Sequence, residues 1–207
     1  MTEDFAVLYE QERDIFVQDV SQLSELQWAQ PSLRPGWAVR DVVAHLLMPF
    51  ELGVAALLGR MVAARFNFDR LALQWAVNDG RTPNELLHVL AATKAKAFNV
   101  PGAGPLAPLS HLTIHALDIR GPLGIDTPIS PAAARPVLDD ITGGRHAVSA
   151  ALLAELRLEA TDAEWGFGHG RSVKGPAGAL MSAMSGRAAA VDQLVGNGTS
   201  LLRSRLG

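Results

Sequence analysis

Cysteine is absent from this 207-residue chain. Its absence excludes disulfide bonds, cysteine-ligated zinc and iron–sulfur clusters, so any thiol chemistry would need a thiol from outside the chain. Lys and Arg form no cluster and the formal net charge is -3. Nucleic-acid binding needs clustered positive charge to neutralise phosphates, so we expect no nucleic-acid partner.

Long hydrophobic runs are also lacking. The most apolar stretch, residues 42–64, is interrupted by His45, Pro49, Glu51 and Arg60, and the N-terminal residues are acidic, unlike those of a signal peptide. We therefore expect a cytoplasmic protein with no membrane partner. Hydrophobic residues make up 48% of the chain and charged residues 19%, which is enough apolar surface for a folded core.

Helical spacing dominates the first two thirds of the chain. Apolar residues recur three and four positions apart from Phe5 onward, until Pro35-Gly36 interrupts the pattern. The next helix is predicted from about Trp37 to beyond Leu57, with a kink at Pro49 because a proline ring clashes with the preceding turn.

Later helices have clear start and stop signals. Residues 82–85, Thr-Pro-Asn-Glu, combine a capping box with proline at the first helical position, and this helix is predicted to reach about residue 98. Further helices are predicted over 106–121 and from Ser130-Pro131 to Gly143-Gly144.

The pattern changes after about residue 150. Residues 156–160 alternate apolar and polar side chains, which predicts a strand, and residues 165–168 are suited to a returning strand. An Ala-rich helix is predicted over 177–185. The chain is thus predicted to be mainly α, with a four-helix bundle over residues 1–150 and a small C-terminal α/β extension over 151–207.

Two histidines one helical turn apart are the most suggestive local signal. His111 and His115 lie four residues apart in a predicted helix, where Cβ atoms are about 6 Å apart, so both imidazoles can reach one ion. A tight site needs a third ligand, and His45 on another apolar helix is the candidate. Each histidine could equally be an ordinary hydrogen-bonded core residue.

Two longer motifs contain these histidines. Pro35-Gly-Trp-Ala-Val-Arg-Asp-Val-Val-Ala-His45-Leu and His115-Ala-Leu-Asp-Ile-Arg-Gly-Pro-Leu-Gly124 resemble the two signatures of the DinB-like metalloenzymes, in particular the mycothiol-dependent maleylpyruvate isomerase family. The C-terminal sequences Gly168-His-Gly170 and Gly186-Arg187 are similar to that family's C-terminal unit. The resemblance implies a DinB-like four-helix bundle with a divalent-metal site.

The resemblance also implies roles for individual residues. His45, His111 and His115 occupy the three metal-ligand positions, with zinc expected and nickel as an alternative. The middle position is usually a carboxylate in the isomerase family, so His111 is a departure that retains a ligand but changes the charge of the site. Arg187 matches an arginine that binds substrate carboxylate, although it could also be a surface residue.

Two aspartates are candidates for orienting the ligands. Asp118 lies three residues after His115, and Asp41 lies four residues before His45. Each could accept a hydrogen bond from an imidazole. Asp118 could instead pair with Arg120 or Arg40, and Asp41 could stabilise the start of its helix.

The resemblance implies an enzyme that uses mycothiol as a thiol co-substrate and acts on a small electrophile by isomerisation or thiol transfer. Two alternatives remain open at this stage. One is a metal-dependent hydrolase, and the other is a non-catalytic metal-binding protein. A homodimer is also left open.

Overall fold

The computed structural model describes residues 4–144 and 148–207. The chain divides into two compact units, Met1–Thr127 and Pro128–Gly207. This division lies earlier than the boundary at residue 150 that the sequence predicts, and the helix that follows Ser130 packs on a helix of the second unit.

The first unit is entirely helical over its described residues. Four of its helices, α1, α3, α6 and α7, form a closed ring of contacts: α1 packs on α6 and α7, and α3 packs on the same two helices. This is the predicted four-helix bundle. Its helices are α1 (Phe5–Ser21), α2 (Glu25–Trp28), α3 (Val39–Glu51), α4 (Val54–Ala63), α5 (Phe68–Val77), α6 (Pro83–Ala92) and α7 (Ala107–Leu123).

Two helices of this unit are shorter than predicted. The helix expected to pass Leu57 ends at Glu51 and restarts at Val54, because Leu52 adopts an extended conformation. Helix α6 begins as predicted, with Thr82 and Glu85 in a capping box, but ends at Ala92 and is followed by the 3-10 turn Ala95–Ala97. Helical spacing alone does not reveal such breaks, because the apolar residues continue across them.

Helices α3 and α7 form the interior of the bundle. Most residues of both helices are buried, including Leu46, Leu47, Leu109, Leu112 and Ile119. Helix α7 ends at Gly124, which has a positive φ of 65° as expected for a glycine that terminates a helix. Polar side chains on these two helices are therefore surrounded by protein rather than by water.

The second unit is mixed α/β, as predicted. Strand β1 (Leu156–Ala160) lies between β2 (Gly166–Gly168), which is antiparallel to it, and β3 (Arg171–Gly175), which is parallel. Helix α10 packs on this sheet and on α8. The helices of the unit are α8 (Pro131–Gly143), α9 (Ala150–Leu153), α10 (Ala177–Met184), the 3-10 helix Ala188–Gln193 and α11 (Thr199–Leu206).

The sequence did not predict strand β3. A parallel neighbour normally needs a long crossover, but here the chain passes directly around the start of β1. Gly170 allows this path, because a Cβ atom at that position would lie 2.2 Å from the carbonyl oxygen of Glu155. No described helix is long and apolar enough to cross a bilayer.

Candidate metal centre

Helix α3 places His45 in its second turn, where the imidazole is 5% exposed. The helix begins at Ala38, whose side chain provides no capping oxygen. Asp41 compensates, because its Oδ2 accepts a hydrogen bond from the backbone N–H of Ala38 at 2.9 Å. Its Oδ1 lies 3.7 Å from Arg40. These contacts of Asp41 stabilise the helix start, which is the alternative to orienting an imidazole.

Helix α7 presents His111 and His115 one turn apart, with Asp118 in the next turn. Asp118 is completely buried, and its Oδ2 lies 2.9 Å from Nδ1 of His115. A carboxylate only accepts hydrogen bonds, so Nδ1 of His115 is the donor and its Nε2 carries the lone pair. Arg120 pairs instead with Asp19, at 2.8 Å. The hydrogen bond that His115 donates to Asp118 is the contact expected of a residue that orients a metal ligand.

The three imidazoles converge from the two helices. Their ring centroids lie 4.8–4.9 Å apart, and one nitrogen from each ring can be chosen so that all three are within 4.8 Å of one another. Nε2 of His45 and Nε2 of His111 are 3.2 Å apart. Two nitrogens that bind one tetrahedral ion at about 2.0–2.1 Å are about 3.3–3.4 Å apart. The distance between the nitrogens of His45 and His111 therefore fits a shared ion.

His45 and His111 are electrostatically suited to binding a cation. The pKa of His45 is held well below its usual range, first by desolvation and then by the charges of His115, His111 and Arg34. Desolvation followed by His115 and Arg34 likewise lowers the pKa of His111. Metal binding requires neutral imidazole. The two rings are thus already in the form that an ion needs.

Aromatic rings border the cluster on two sides. Trp37 packs edge-on against His45 with ring centroids 5.1 Å apart, and Phe98 packs against His111 at 5.8 Å. The sequence gave no signal for Phe98, which follows the early end of α6. Among the described residues, Nδ1 of His45 has no hydrogen-bond partner, but its Nε2 lies 3.2 Å from Nε2 of His111, so packing and this contact together hold the ring.

A cleft of about 510 Å³ lies beside Phe98. Its walls come from the start of α1 and from the segment between α6 and α7, and its exposed lining is mostly apolar. Phe98 lines the cleft and also contacts the His111 ring. The lining of the cleft includes none of the three histidines, so Phe98 is the residue that connects the cleft to the cluster.

Arg187 lies in the second unit, at the start of the 3-10 helix Ala188–Gln193. Its guanidinium donates a hydrogen bond to the carbonyl oxygen of Ser185, and its backbone N–H donates to the carbonyl oxygen of Ser182 at 3.0 Å. Its role in binding a substrate carboxylate stays a prediction.

The comparisons with known proteins agree with this geometry. The model of a protein family described as "Mycothiol maleylpyruvate isomerase N-terminal domain" matches residues 9–108. This match includes the first of the two motifs, Pro35 to Leu46, and agrees with the family that the sequence resembles. The family match includes His45 but ends before His111 and His115, which lie on α7.

Two solved structures share the fold. They are crystal structures of the mycothiol-dependent maleylpyruvate isomerase and of its histidine-to-alanine mutant, with TM-scores of 0.58 and sequence identities of 15% and 14%. Each alignment covers 94% of this chain and 92% of the other. The predicted mainly helical fold with a small C-terminal α/β extension is therefore confirmed, and these two structures share it. No curated protein matches the chain in sequence.

Proposed function

We propose that this chain is a divalent-metal-dependent enzyme that uses mycothiol to isomerise a small electrophile or to transfer the thiol to it. The observation that carries the proposal is the convergence of His45, His111 and His115, with two Nε2 atoms 3.2 Å apart. Two comparisons support it. Residues 9–108 match the family model, and the fold is shared with a structure described as a mycothiol-dependent maleylpyruvate isomerase. The absence of cysteine requires an external thiol.

The residues of the site have distinct tasks in this proposal. His45, His111 and His115 would hold the ion, with zinc as the metal we expect. When bound, a divalent cation supplies the positive charge that keeps a thiol as the reactive thiolate. All three ligands are neutral, so they leave that charge undiminished, unlike the carboxylate usual at the position of His111 in the family.

Neighbouring residues would support the chemistry. Asp118 keeps Nδ1 of His115 protonated and its Nε2 available as a ligand. Trp37 and Phe98 reduce the access of water to the cluster, which strengthens electrostatic interactions inside it. We also propose, from the family resemblance, that Arg187 binds a carboxylate of the substrate.

A metal-dependent hydrolase is the less favoured alternative. It needs a general base beside the ion, and the two aspartates close in sequence to the ligand histidines, Asp41 and Asp118, already accept other hydrogen bonds. Asp118 accepts from Nδ1 of His115, and Asp41 accepts from the backbone N–H of Ala38. The thiol reaction needs no such base, because the cation itself lowers the pKa of the thiol.

A titration with mycothiol tests the proposal. The protein is loaded with cobalt(II) or zinc, and mycothiol binding is measured by the sulfur-to-cobalt absorption band and by calorimetry. We expect saturable, metal-dependent binding that is lost in His111→Ala. His88→Ala is the matched control, because His88 is exposed on α6 and outside the cluster.

The outcomes separate the three hypotheses. Mycothiol binding that depends on both the metal and His111 supports the thiol enzyme. Metal binding without any binding of mycothiol contradicts it, and ester or amide hydrolysis by that same metal-loaded protein would favour the hydrolase. Metal binding with neither property would favour a non-catalytic metal-binding protein.

A further inference from the structure

The loop that precedes α3 has a defined conformation. Pro31 and Ala38 form an isolated antiparallel bridge, and Trp37 donates its backbone N–H to the carbonyl oxygen of Arg34 at 3.1 Å. Gly36 has a φ of +80°, which the third position of a type II turn requires and which glycine adopts without strain. The turn places Arg34 and Trp37 at its two ends, next to each other.

This loop is also attached to α7. The backbone N–H of Leu33 donates to the carbonyl oxygen of Asp118 at 2.9 Å. A Cβ atom at Gly121 would lie only 3.3 Å from the Leu33 side chain, so α7 has a small residue where the loop packs on it. The loop therefore contacts the helix that carries His111 and His115 and leads directly into the helix that carries His45.

Arg34 brings a permanent positive charge to the cluster. Its Cζ lies 5.0 Å from the centroid of the Trp37 ring, whose edge in turn packs on His45. A cation in this place opposes the binding of a dication, so metal affinity does not explain it.

The partner of Arg34 does not explain its position either. Its Nη2 lies 2.6 Å from Oδ1 of Asp69, whose side chain is 80% exposed, while the Arg34 side chain is 25% exposed. Such exposed ion pairs stabilise proteins little. The Nε of Arg34 is buried and, within the described residues, has no hydrogen-bond partner. The guanidinium is thus held against the Trp37 ring that borders His45, with a partner that a ligand can displace.

We propose that Arg34 is a specificity-determining residue that binds a carboxylate of the ligand occupying the histidine cluster, in exchange for Asp69. A guanidinium matches a carboxylate through paired hydrogen bonds, and the anion offsets the repulsion between Arg34 and a bound dication. This proposal rests on the proposed function in one respect, which is that a small electrophile binds at the site. The carboxylate that Arg34 binds belongs to that electrophile, and the proposal does not depend on the role of Arg187.

Calorimetric titration of the zinc-loaded protein with maleate tests the proposal without requiring turnover or thiol. We expect Arg34→Gln to weaken maleate binding at least tenfold and to raise zinc affinity a few-fold, because a repelling charge is lost. Arg34→Lys keeps the charge but not the fork, so an intermediate maleate affinity is expected. Asp69→Asn, at an exposed position, should strengthen maleate binding a few-fold at low salt, because the competing carboxylate is removed.

A neutral analogue, maleamide, identifies the group that is recognised. Its affinity should be equally low in the wild-type protein and in Arg34→Gln. Retained zinc stoichiometry shows that each variant is folded. If Arg34→Gln does not fold, Arg34→Lys still decides the test. Unchanged maleate affinity in both Arg34 variants, or no maleate binding by the wild-type protein, overturns the proposal. Maleate binding through Arg34 without any binding of mycothiol would retain this proposal and reject the proposed thiol chemistry.

Discussion

The two sides of the histidine cluster are oriented by different physical means. On α7, Nδ1 of His115 donates a hydrogen bond of 2.9 Å to the fully buried carboxylate of Asp118, which sets the tautomer of the neutral ring. On α3, no described residue hydrogen-bonds to Nδ1 of His45; its Nε2 lies 3.2 Å from Nε2 of His111, and the ring is otherwise fixed by burial and by the edge of Trp37. A hydrogen bond selects one nitrogen as ligand, whereas packing restricts the position of the ring. The predictions below test this difference, from the largest expected effect to the smallest.

Removal of the single ligand on α3 should have the largest effect. We expect His45→Ala to reduce zinc affinity on the order of 100-fold or more, because two imidazoles on one helix do not make a tight site. Competition with a chromogenic chelator measures the affinity. His88→Ala should bind zinc as the wild-type protein does. A His45→Ala protein with wild-type zinc affinity would show that α3 contributes no ligand.

Removal of the orienting carboxylate on α7 should have a smaller effect. We expect Asp118→Ala to reduce zinc affinity about 10- to 100-fold, as is typical when the hydrogen-bond partner of a ligand histidine is lost. Asp41→Ala is the matched control, because its carboxylate accepts from Ala38 at the start of the helix. Equal losses of zinc affinity in the two variants would contradict the distinction between the two sides.

The stability of the metal-free protein should depend on pH, because a buried histidine on each of the two helices, His45 on α3 and His111 on α7, titrates. His45 and His111 have pKa values well below 6.5 in the folded state, mainly through desolvation. Below pH 6.5 the unfolded chain therefore binds more protons, and the free energy of unfolding falls as the pH falls towards the folded pKa values. The slope should approach about 1.4 kcal/mol per pH unit for each histidine.

Urea unfolding measures this slope when it is repeated between about pH 5 and pH 7.5, the range over which histidine titrates. His111→Ala should show about half of the wild-type slope, because only His45 then titrates in this way. Zinc should stabilise the protein most at the upper end of the range, since protons compete with the metal for imidazole. A wild-type slope of zero would contradict burial of neutral imidazoles on either helix.

Much of the first unit could be predicted from the sequence. The capping signal at Thr82 and the terminal Gly124 are local, and both occur as predicted. The histidine pair on α7 could be placed on one face because helical spacing determines it. The pairing with His45 needed the family motifs, since no local pattern reports a contact between residues so far apart in sequence. The structure brings the three rings together, and their function as ligands stays a proposal.

Other features depend on tertiary contacts that no local pattern encodes. Strand β3 exists because the chain can pass around the start of β1 at Gly170, and its short sequence carries no strong strand signal. The sequence did not indicate a role for Arg34, because its proposed role follows from its position over Trp37 rather than from a motif. Phe98 likewise became a neighbour of His111 only through the early end of α6.

The smallest effect concerns the start of α3. Ala38 occupies the N-cap with an extended backbone, φ −77° and ψ 164°, and provides no side-chain oxygen. Serine fits this conformation and can accept a hydrogen bond from the first turn, so Ala38→Ser should raise the free energy of unfolding by about 1 kcal/mol. The midpoint of urea unfolding, measured at pH 7.5 without metal, reports this change.

The zinc affinity of Ala38→Ser is the more informative of the two measurements on this variant. If packing in the bundle already fixes the His45 ring, extra stability at the helix start adds nothing to its orientation, and Ala38→Ser should bind zinc as tightly as the wild-type protein. A gain in zinc affinity together with stability would mean that α3 moves at its N-terminal end before the metal binds. The α3 side of the cluster would then be ordered by the ion, and only the α7 side would be preformed.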